Sequence, residues 1–203
     1  MMIKTKKELK FYIYADRMMN RGYFKTPFLR RLKNIIYPDK IMLYLEYMRK
    51  VEYYSEQGGV KLHYYKWKYY KLGLKLGFTI GAKVFGYGLV IPHYGTIVVG
   101  NSNRIGNFCV LNTSICISDN SKEIGDGFYV STGSKITSHL KLGNNISTGA
   151  NTVVNKSFEE DNRLLVGMPA FPKKEMAAWY IRDGKRYSDK VKSIEDLKNR
   201  WGL

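Results

Sequence analysis

A period of six residues runs through the middle of the chain and limits the folds that it can adopt. Nine positions, spaced by six residues with one spacing of seven, carry an aliphatic side chain in eight of nine cases. These positions are Ile105, Leu111, Ile117, Ile124, Val130, Ile136, Leu142, Thr148 and Val154. An amphipathic helix repeats every three to four residues and a half-buried strand every two, so neither explains this period. A short strand followed by a sharp turn in each six-residue unit does explain it.

The residue after each aliphatic position is small or polar, which suits a corner between two strands. Three units close one triangular coil, and stacked coils hydrogen-bond to each other as in other solenoids. Residues 80–155 supply about four coils of roughly eighteen residues each. We therefore predict a mainly β fold with a parallel β-helix over residues 78–155, whose exposed end is covered by neighbouring helices.

The segments on either side of the repeat predict α-helices. Residues 1–77 contain little Gly or Pro, and Ile41, Leu45 and Met48 recur at helical spacing. Residues 156–203 leave the repeat in a proline-containing exit loop, and the polar sequence beyond it predicts a short helical C-terminal extension. The chain thus divides into a helical region, the β-helix, and an exit loop with helices.

The helical region is also the basic part of the chain. The formal net charge is +17, and in residues 1–77 Lys and Arg outnumber Asp and Glu by 18 to 6. The same segment contains 12 of the 17 tyrosines. Amphipathic helices with solvated Lys and Arg explain this composition, and so does peripheral contact with an anionic membrane or a lipid-linked glycan. A nucleic-acid partner is not expected.

The sequence predicts a cytoplasmic protein, with the inner face of the membrane as a second possible place. No apolar run is long enough to cross a bilayer, and the N-terminal residues lack the continuous apolar core of a signal peptide. Cys109 and Cys116 are too few for a disulfide framework and lack metal-ligand spacing. We expect them to be reduced packing residues.

Several stretches, in their order along the chain, resemble those of the hexapeptide-repeat acyltransferases. They are IPHYGTIVVG, RIGNFCVLNTSICI, EIGDGFYVSTGSKI, LGNNISTGANTVVNKSF and LVGMPAFPKK. Within that family, residues 78–174 resemble the branch of serine acetyltransferases and polysaccharide O-acetyltransferases. The resemblance implies a left-handed parallel β-helix, assembled as a homotrimer, that transfers an acetyl group from acetyl-CoA to a hydroxyl group. It also places the acetyl donor in the groove between neighbouring subunits.

The resemblance assigns the role of general base to His93. A neutral imidazole suits this role, because an alcohol is a poor nucleophile until a base takes its proton. Pro92 stiffens the backbone before the ring, and backbone N–H groups at the corners could stabilise the oxyanion. A lone histidine in a strand is otherwise explained by a satisfied structural hydrogen bond. The six-residue period and the neighbouring sequence favour the base.

Positions at the coil corners and in the exit segment match those that hold acetyl-CoA in the family. They are Gly133, Ser134, Gly149, Ala150, Lys156, Gly167, Pro169 and Lys173, with Ala170 and Lys174 beside them. Small residues leave room for the pantetheine arm, and lysines suit the phosphates of CoA. The lysines are equally explained as solvated side chains, and residues 167–170 as a chain turn. Asn112, Asp119 and Asn120 are candidate acceptor-binding residues, which also suit turn caps.

Three departures from the serine acetyltransferases bear on the acceptor. The short sequence SDNSKE at residues 118–123 leaves no place for a glycine-rich loop with a second histidine. Pro92 replaces a carboxylate, and no acid stands near Phe78 and Thr79 to orient the His93 ring. A sugar of a surface-polysaccharide precursor is therefore the expected acceptor. Serine O-acetylation in cysteine biosynthesis is the first alternative, and an inactive β-helix binding module is the second.

A carbonic anhydrase of the same architecture would need three zinc-binding histidines. The chain has only His63, His93 and His139, of which the first lies outside the repeat and the other two are far apart in sequence. No metal site is therefore expected.

Overall fold

The computed structural model describes residues 3–203, and the helices lie on either side of a region of short strands. Four helices come first: α1 (Lys6–Arg21), α2 (Phe28–Ile36), α3 (Lys40–Gln57) and α4 (Val60–Leu76). Two more, α5 (Trp179–Arg182) and α6 (Lys185–Arg200), follow the strands. Local sequence explains the ends of α1, because Thr5 and Glu8 form a capping box and Gly22 takes a positive φ of 82°.

The strands are short, and most contain two or three residues. They are β1 (Phe78–Ile80), β2 (Ile97–Val99), β3 (Arg104–Ile105), β4 (Val110–Leu111), β5 (Ile115–Ile117), β6 (Glu123–Ile124), β7 (Tyr129–Val130), β8 (Lys135–Ile136), β9 (Lys141–Leu142), β10 (Ser147–Thr148), β11 (Val153–Val154), β12 (Arg163–Val166) and β13 (Phe171–Glu175).

Three sheets form the three faces of a β-solenoid. The first face has the strand order β1-β2-β5-β8-β11, the second β3-β6-β9, and the third β4-β7-β10-β12-β13. Neighbouring strands are parallel, except that β13 runs antiparallel to β12. Single bridges extend the second and third faces at Phe85–Ile105, Val90–Val110 and Leu142–Phe158. The predicted parallel β-helix between helical segments is therefore confirmed.

The solenoid has about five coils, one more than the six-residue pattern predicts. The first face alone stacks five strands. The additional coil follows Val154 and uses Phe158, which bridges to Leu142, and Leu165, which pairs with Thr148. This coil contains the acidic sequence SFEEDN and has no glycine at that corner, so the six-residue pattern does not extend to it. The division of the chain at residues 77 and 155 stays a prediction.

The aliphatic positions of the repeat point into the solenoid, as predicted. All nine are buried, and none is more than 5% exposed. A second series, four positions along each unit, is also buried: Cys109, Ile115, Phe128, Ser134, Leu140, Ile146 and Thr152. Burial of these side chains is the main source of stability in the coils, because each apolar side chain removed from water contributes about 1.5–3 kcal/mol.

Helix α3 covers the first coil, and the two ends of the chain pack together beside it. Tyr44, Leu45 and Met48 of α3 belong to the same buried cluster as the solenoid interior. A second cluster joins α1, α5 and α6 to the third face, where Trp179 Nε1 donates to the carbonyl of Phe108 at 2.7 Å. Within residues 3–203, no helix combines the length and the apolar character that a membrane span requires.

Candidate active site

His93 lies on an edge of the solenoid, at the corner between the third and the first face. Six residues join Val90 to Ile97 in this coil, whereas four join their paired residues Val110 and Ile115 in the next. The corner is therefore two residues longer than the one stacked on it. The additional length leaves the His93 side chain exposed at the edge.

Backbone hydrogen bonds to the end of α4 hold this corner. The N–H of Gly95 donates to the carbonyl of Leu76 at 2.9 Å, and the N–H of Ile97 donates to the carbonyl of Gly77 at 3.1 Å. The ring of His93 itself accepts or donates no hydrogen bond within residues 3–203, where the only bonded histidine ring is that of His139. No acid in this range replaces the orienting carboxylate that the sequence lacks.

Two polar residues of α1, which sequence reasoning missed, fix the backbone that leads into the corner. Asn20 Nδ2 donates to the carbonyl of Leu89 at 2.7 Å, and its Oδ1 accepts from the N–H of Ile91 at 3.1 Å. Asp16 Oδ1 accepts from the N–H of Leu89 at 2.9 Å. These contacts take the place of a neighbouring strand beside residues 89–91. They join positions about 70 residues apart, so no local sequence signal could reveal them.

Most of the predicted acetyl-CoA positions lie on the same edge. We call this the His93 edge; it comprises the corners at residues 91–96, 112–114, 131–134, 149–152 and 167–170. These corners include Gly133, Gly149, Ala150, Gly167 and Pro169. Successive corners stack directly, since the N–H of Gly133 donates to the carbonyl of Thr113 at 3.1 Å. The structure therefore brings the candidate base and a row of small residues onto one line.

Backbone geometry accounts for two of these glycines without any ligand. Gly133 has a φ of 76° and Gly167 a φ of 99°, values that favour glycine. A Cβ atom on Gly133 would also collide with the side chain of Asn151. Gly149 has no positive φ, and Ala150 beside it is exposed. A Cβ atom on Gly149 would lie 3.0 Å from Cγ1 of Val166, so close packing accounts for this glycine, and Ala150 is the small residue that is exposed on the edge.

Ser134 and Ala170 lie inside the solenoid and not on its surface. Ser134 is fully buried, and its hydroxyl bonds to the hydroxyl of Thr148 and to the carbonyl of Gly149, each at 3.0 Å. Ala170 is 3% exposed, and its N–H donates to Val153. The hydroxyl of Ser134 therefore serves the core, because the repeat points this position inward, and the assignment of Ser134 to the acetyl-CoA site stays a prediction.

The candidate lysines are exposed and lie in two different places. Lys173 and Lys174 are on β13, which follows directly after the last corner of the His93 edge. Lys156 lies on another edge, in the corner after β11, with its Nζ 5.5 Å from the ring centre of Phe158. Only the β13 lysines are placed next to the row of small residues.

The candidate acceptor residues are also divided between two edges. Asn112 lies on the His93 edge, where its Nδ2 donates to the carbonyl of Val130 at 2.8 Å. Asp119 and Asn120 follow β5 at the edge between the first and second faces, and within one chain they are not brought together with His93. Hydrogen bonds from the hydroxyl and the N–H of Ser102 lower the pKa of Asp119 and occupy one of its carboxylate oxygens.

The three histidines occupy three different elements. His63 is on α4, His93 on the His93 edge, and His139 after β8, with its Nδ1 at 3.1 Å from the carbonyl oxygen of Asn120. Across residues 3–203, no group of three His, Cys, Asp or Glu side chains has the arrangement of a metal site.

Comparison with known proteins finds similarity to serine acetyltransferases. No family model matches the chain. A serine acetyltransferase of Staphylococcus aureus (strain Mu50) is 29% identical over 114 residues, which are 53% of this chain and 51% of that protein. The chain therefore spans about half the length of the curated relatives that it matches.

Solved structures extend the similarity to most of the chain. The serine acetyltransferase from Brucella abortus strain S19 has a TM-score of 0.63 at 20% identity, over 84% of this chain and 69% of that one. A serine acetyltransferase in complex with CoA has a TM-score of 0.58 at 18% identity, over 81% and 67%. The chain is similar to serine acetyltransferases in sequence over about half of its length and in fold over most of it. This similarity confirms the resemblance that the sequence motifs indicate. The shared fold is the β-solenoid, on which the His93 edge lies.

Proposed function

We propose that the chain is an acetyl-CoA-dependent O-acetyltransferase in which His93 is the general base. The observation that carries this proposal is the arrangement of the His93 edge. An exposed imidazole and the small residues Gly149 and Ala150 share one edge of the solenoid. The name of the Staphylococcus aureus relative, and the complex of one similar serine acetyltransferase with CoA, support the same chemistry.

The reaction needs one group to move a proton and another to hold negative charge. A ring nitrogen of His93 takes the proton of the acceptor hydroxyl while the oxygen attacks the thioester carbonyl. The resulting oxyanion would accept hydrogen bonds from backbone N–H groups at the edge. The intermediate then expels the CoA thiolate, which takes up the proton from the imidazolium. Base catalysis of this kind is worth about 10²–10⁴ in rate.

Serine is the acceptor that the comparisons favour. The relatives are named serine acetyltransferases, which supports the alternative over the expected polysaccharide acceptor. A sugar hydroxyl remains the second candidate. It is favoured by the exposure of the His93 corner and by the short segment at residues 118–123, which leaves no place for a loop with a second histidine. A homotrimer, with acetyl-CoA between subunits, completes the proposal.

The direct test replaces His93 by alanine and measures thiol release from acetyl-CoA with serine as acceptor. Loss of the base should lower kcat by about 10²–10⁴-fold, while acetyl-CoA binding measured by calorimetry stays within about twofold. His139→Ala is the matched control, because this histidine is also exposed but lies on another edge. Equal turnover of the His93 variant and the wild-type protein would contradict the role of His93 as general base.

A second assay decides the acceptor. The wild-type protein is given serine, nucleotide-linked sugars and lipid-linked sugars at equal concentration, and thiol release is compared. Serine should give the fastest thiol release. Activity with a sugar alone would reverse the order of the two acceptors without affecting the role of His93. Absence of acetyl-CoA binding in the intact protein would instead favour the inactive binding module.

A further inference from the structure

Helix α2 exposes a complete apolar face. None of its residues is buried, and Leu29 and Ile35 are each 78% exposed. The exposed apolar residues, at helical spacing, are Phe28, Leu29, Leu32, Ile35 and Ile36, followed by Tyr37. Arg30, Arg31 and Lys33 lie beside this face. A helix with an apolar face and flanking basic residues has the composition of one that lies in a membrane interface.

Helix α4 exposes a second apolar and aromatic face. The exposed residues are Val60, Tyr64, Trp67, Tyr70 and Leu74. Lysines lie among them, and the ammonium groups of Lys68 and Lys71 are 5.1 and 4.7 Å from the ring centre of Trp67. Trp and Tyr side chains next to lysines are favoured at the boundary between lipid and water.

The segment between α2 and α3 leads from the first face to a groove beside the second. A shallow groove is lined by Pro38, two residues after α2, by Leu43 of α3, and by Trp67, Lys71 and Lys75 of α4. We call the exposed apolar residues of both helices, together with the eight basic residues of these two segments, the α2–α4 surface. The basic residues are Arg30, Arg31, Lys33, Lys61, Lys66, Lys68, Lys71 and Lys75.

We propose that the α2–α4 surface docks on an anionic lipid bilayer. Neither residues 28–37 nor residues 60–77 contain an Asp or Glu, so the surface carries uncompensated positive charge. Anionic head groups complement that charge, and the boundary with the acyl chains accommodates the exposed aliphatic and aromatic side chains. If two copies of this chain met through this surface, the eight positive charges of one copy would face the eight of the other. This repulsion disfavours self-association.

The surface lies close to the candidate active site. Helix α4 ends at Leu76, whose carbonyl accepts from the N–H of Gly95 in the corner that carries His93. Leu74 is two residues before Leu76, and a helix rises 1.5 Å per residue, so the docking surface ends within about 5 Å of that contact along the helix axis. Docking would hold the His93 edge beside the head groups. The docking itself does not depend on the proposed chemistry.

Vesicle sedimentation of the full chain tests the proposal. The probes are vesicles of phosphatidylcholine with 30% phosphatidylglycerol and vesicles of phosphatidylcholine alone. The wild-type protein should bind the anionic vesicles, and high salt should weaken this binding. Each basic residue at an anionic surface contributes about 1 kcal/mol, or about fivefold in partitioning, so Lys71→Glu/Lys75→Glu should weaken binding by at least about 25-fold. Ile35→Ser/Ile36→Ser should weaken it by at least about tenfold.

Lys185→Glu/Lys192→Glu on α6 is the matched control, because it makes the same change in net charge at exposed positions outside the α2–α4 surface. This control should retain at least half of the wild-type binding. Equal losses in the control and the α4 variant, or no preference of the wild-type protein for anionic vesicles, would overturn the proposal. The proposal would also be overturned if the wild-type protein bound no vesicles and the α2 variant changed its oligomeric state. That result would identify the surface as a contact between copies of the chain. Thiol release measured without vesicles reports on the catalytic proposal separately.

Discussion

Among single residues, Lys122 is a lysine that is buried without an ion pair to any described residue. It is fully buried at a corner of the solenoid, where its Nζ donates to the carbonyl and the hydroxyl of Ser118 at 2.7 and 2.9 Å. Within residues 3–203, no carboxylate forms an ion pair with it. Burial therefore lowers the pKa of Lys122, because the charged form loses hydration that these two contacts replace only in part.

This burial predicts a dependence of stability on pH. The pKa of Lys122 is lower in the folded than in the unfolded chain, so the unfolded chain binds more protons between the two values. The free energy of unfolding should therefore rise with pH from the lowered value up to about 10.5. Lys122→Met should remove this contribution to the slope and stabilise the protein at pH 7, by about 1.4 kcal/mol for each unit of lowering.

Denaturant unfolding at several pH values checks this prediction. Ser118 keeps hydrogen bonds without the lysine, since its carbonyl also accepts from Asn103 and its hydroxyl donates to Ile136. Lys192→Met, at an exposed position of α6, is the control and should leave the slope unchanged. An unchanged slope in the Lys122 variant as well would contradict the assignment.

At the scale of elements, the sequence predicts the coils well but does not predict the contacts that join the helices to the coils. The six-residue period places Ile117 and Val130 in the core because a coil must point the same position inward in every unit. Ser134 shows the limit of this reasoning: its small size suggested a ligand contact, whereas its place in the period points it inward to Thr148. Asn20 gave no signal, because a polar residue on a helix usually faces solvent and its partners lie about 70 residues away.

Asn20→Ala tests whether α1 positions the corner that carries His93. The substitution removes two hydrogen bonds to the backbone at Leu89 and Ile91, just before Pro92. We expect a loss of about 1–2 kcal/mol in unfolding free energy and, with serine as acceptor, a fall in kcat of about tenfold at nearly constant KM for acetyl-CoA.

Asn34→Ala on α2 is the control for this variant, because the Asn34 side chain makes no hydrogen bond within residues 3–203. A wild-type kcat in folded Asn20→Ala protein would show that the corner keeps its geometry without α1. A matching loss in both asparagine variants would point to a general effect on the helices.

Across the whole molecule, Arg49 links the helical region to the first coil. All of its N–H groups are used: it binds Asp16 of α1, Glu52 of α3, and the carbonyls of Phe85 and Gly86 in the solenoid. Arg49 is fully buried, and burial raises the pKa of Glu52, whose Oε1 has no hydrogen-bond partner in the part of the chain that the structure describes. A buried guanidinium with five donors suits this junction, where two carbonyls lack strand partners.

Removal of Arg49 should destabilise the whole protein. Arg49→Met leaves Asp16 and Glu52 buried without their partner, which should cost about 3–5 kcal/mol. Arg21→Met breaks the more exposed pair with Asp39 and should cost about 1 kcal/mol or less. Chemical denaturation followed by circular dichroism measures both. Similar losses for the two variants would show that burial does not set the strength of these pairs.

Strand β13 has a consequence for how copies of this protein meet. A stack of parallel coils ends in unpaired N–H and C=O groups, which invite another chain to continue the sheet and grow a fibre. The last strand of the third face turns antiparallel and is exposed along its whole length. It carries Pro172, which has no N–H to offer, and the charges of Lys173 and Lys174. The strand that follows the His93 edge therefore disfavours end-to-end growth of the third face.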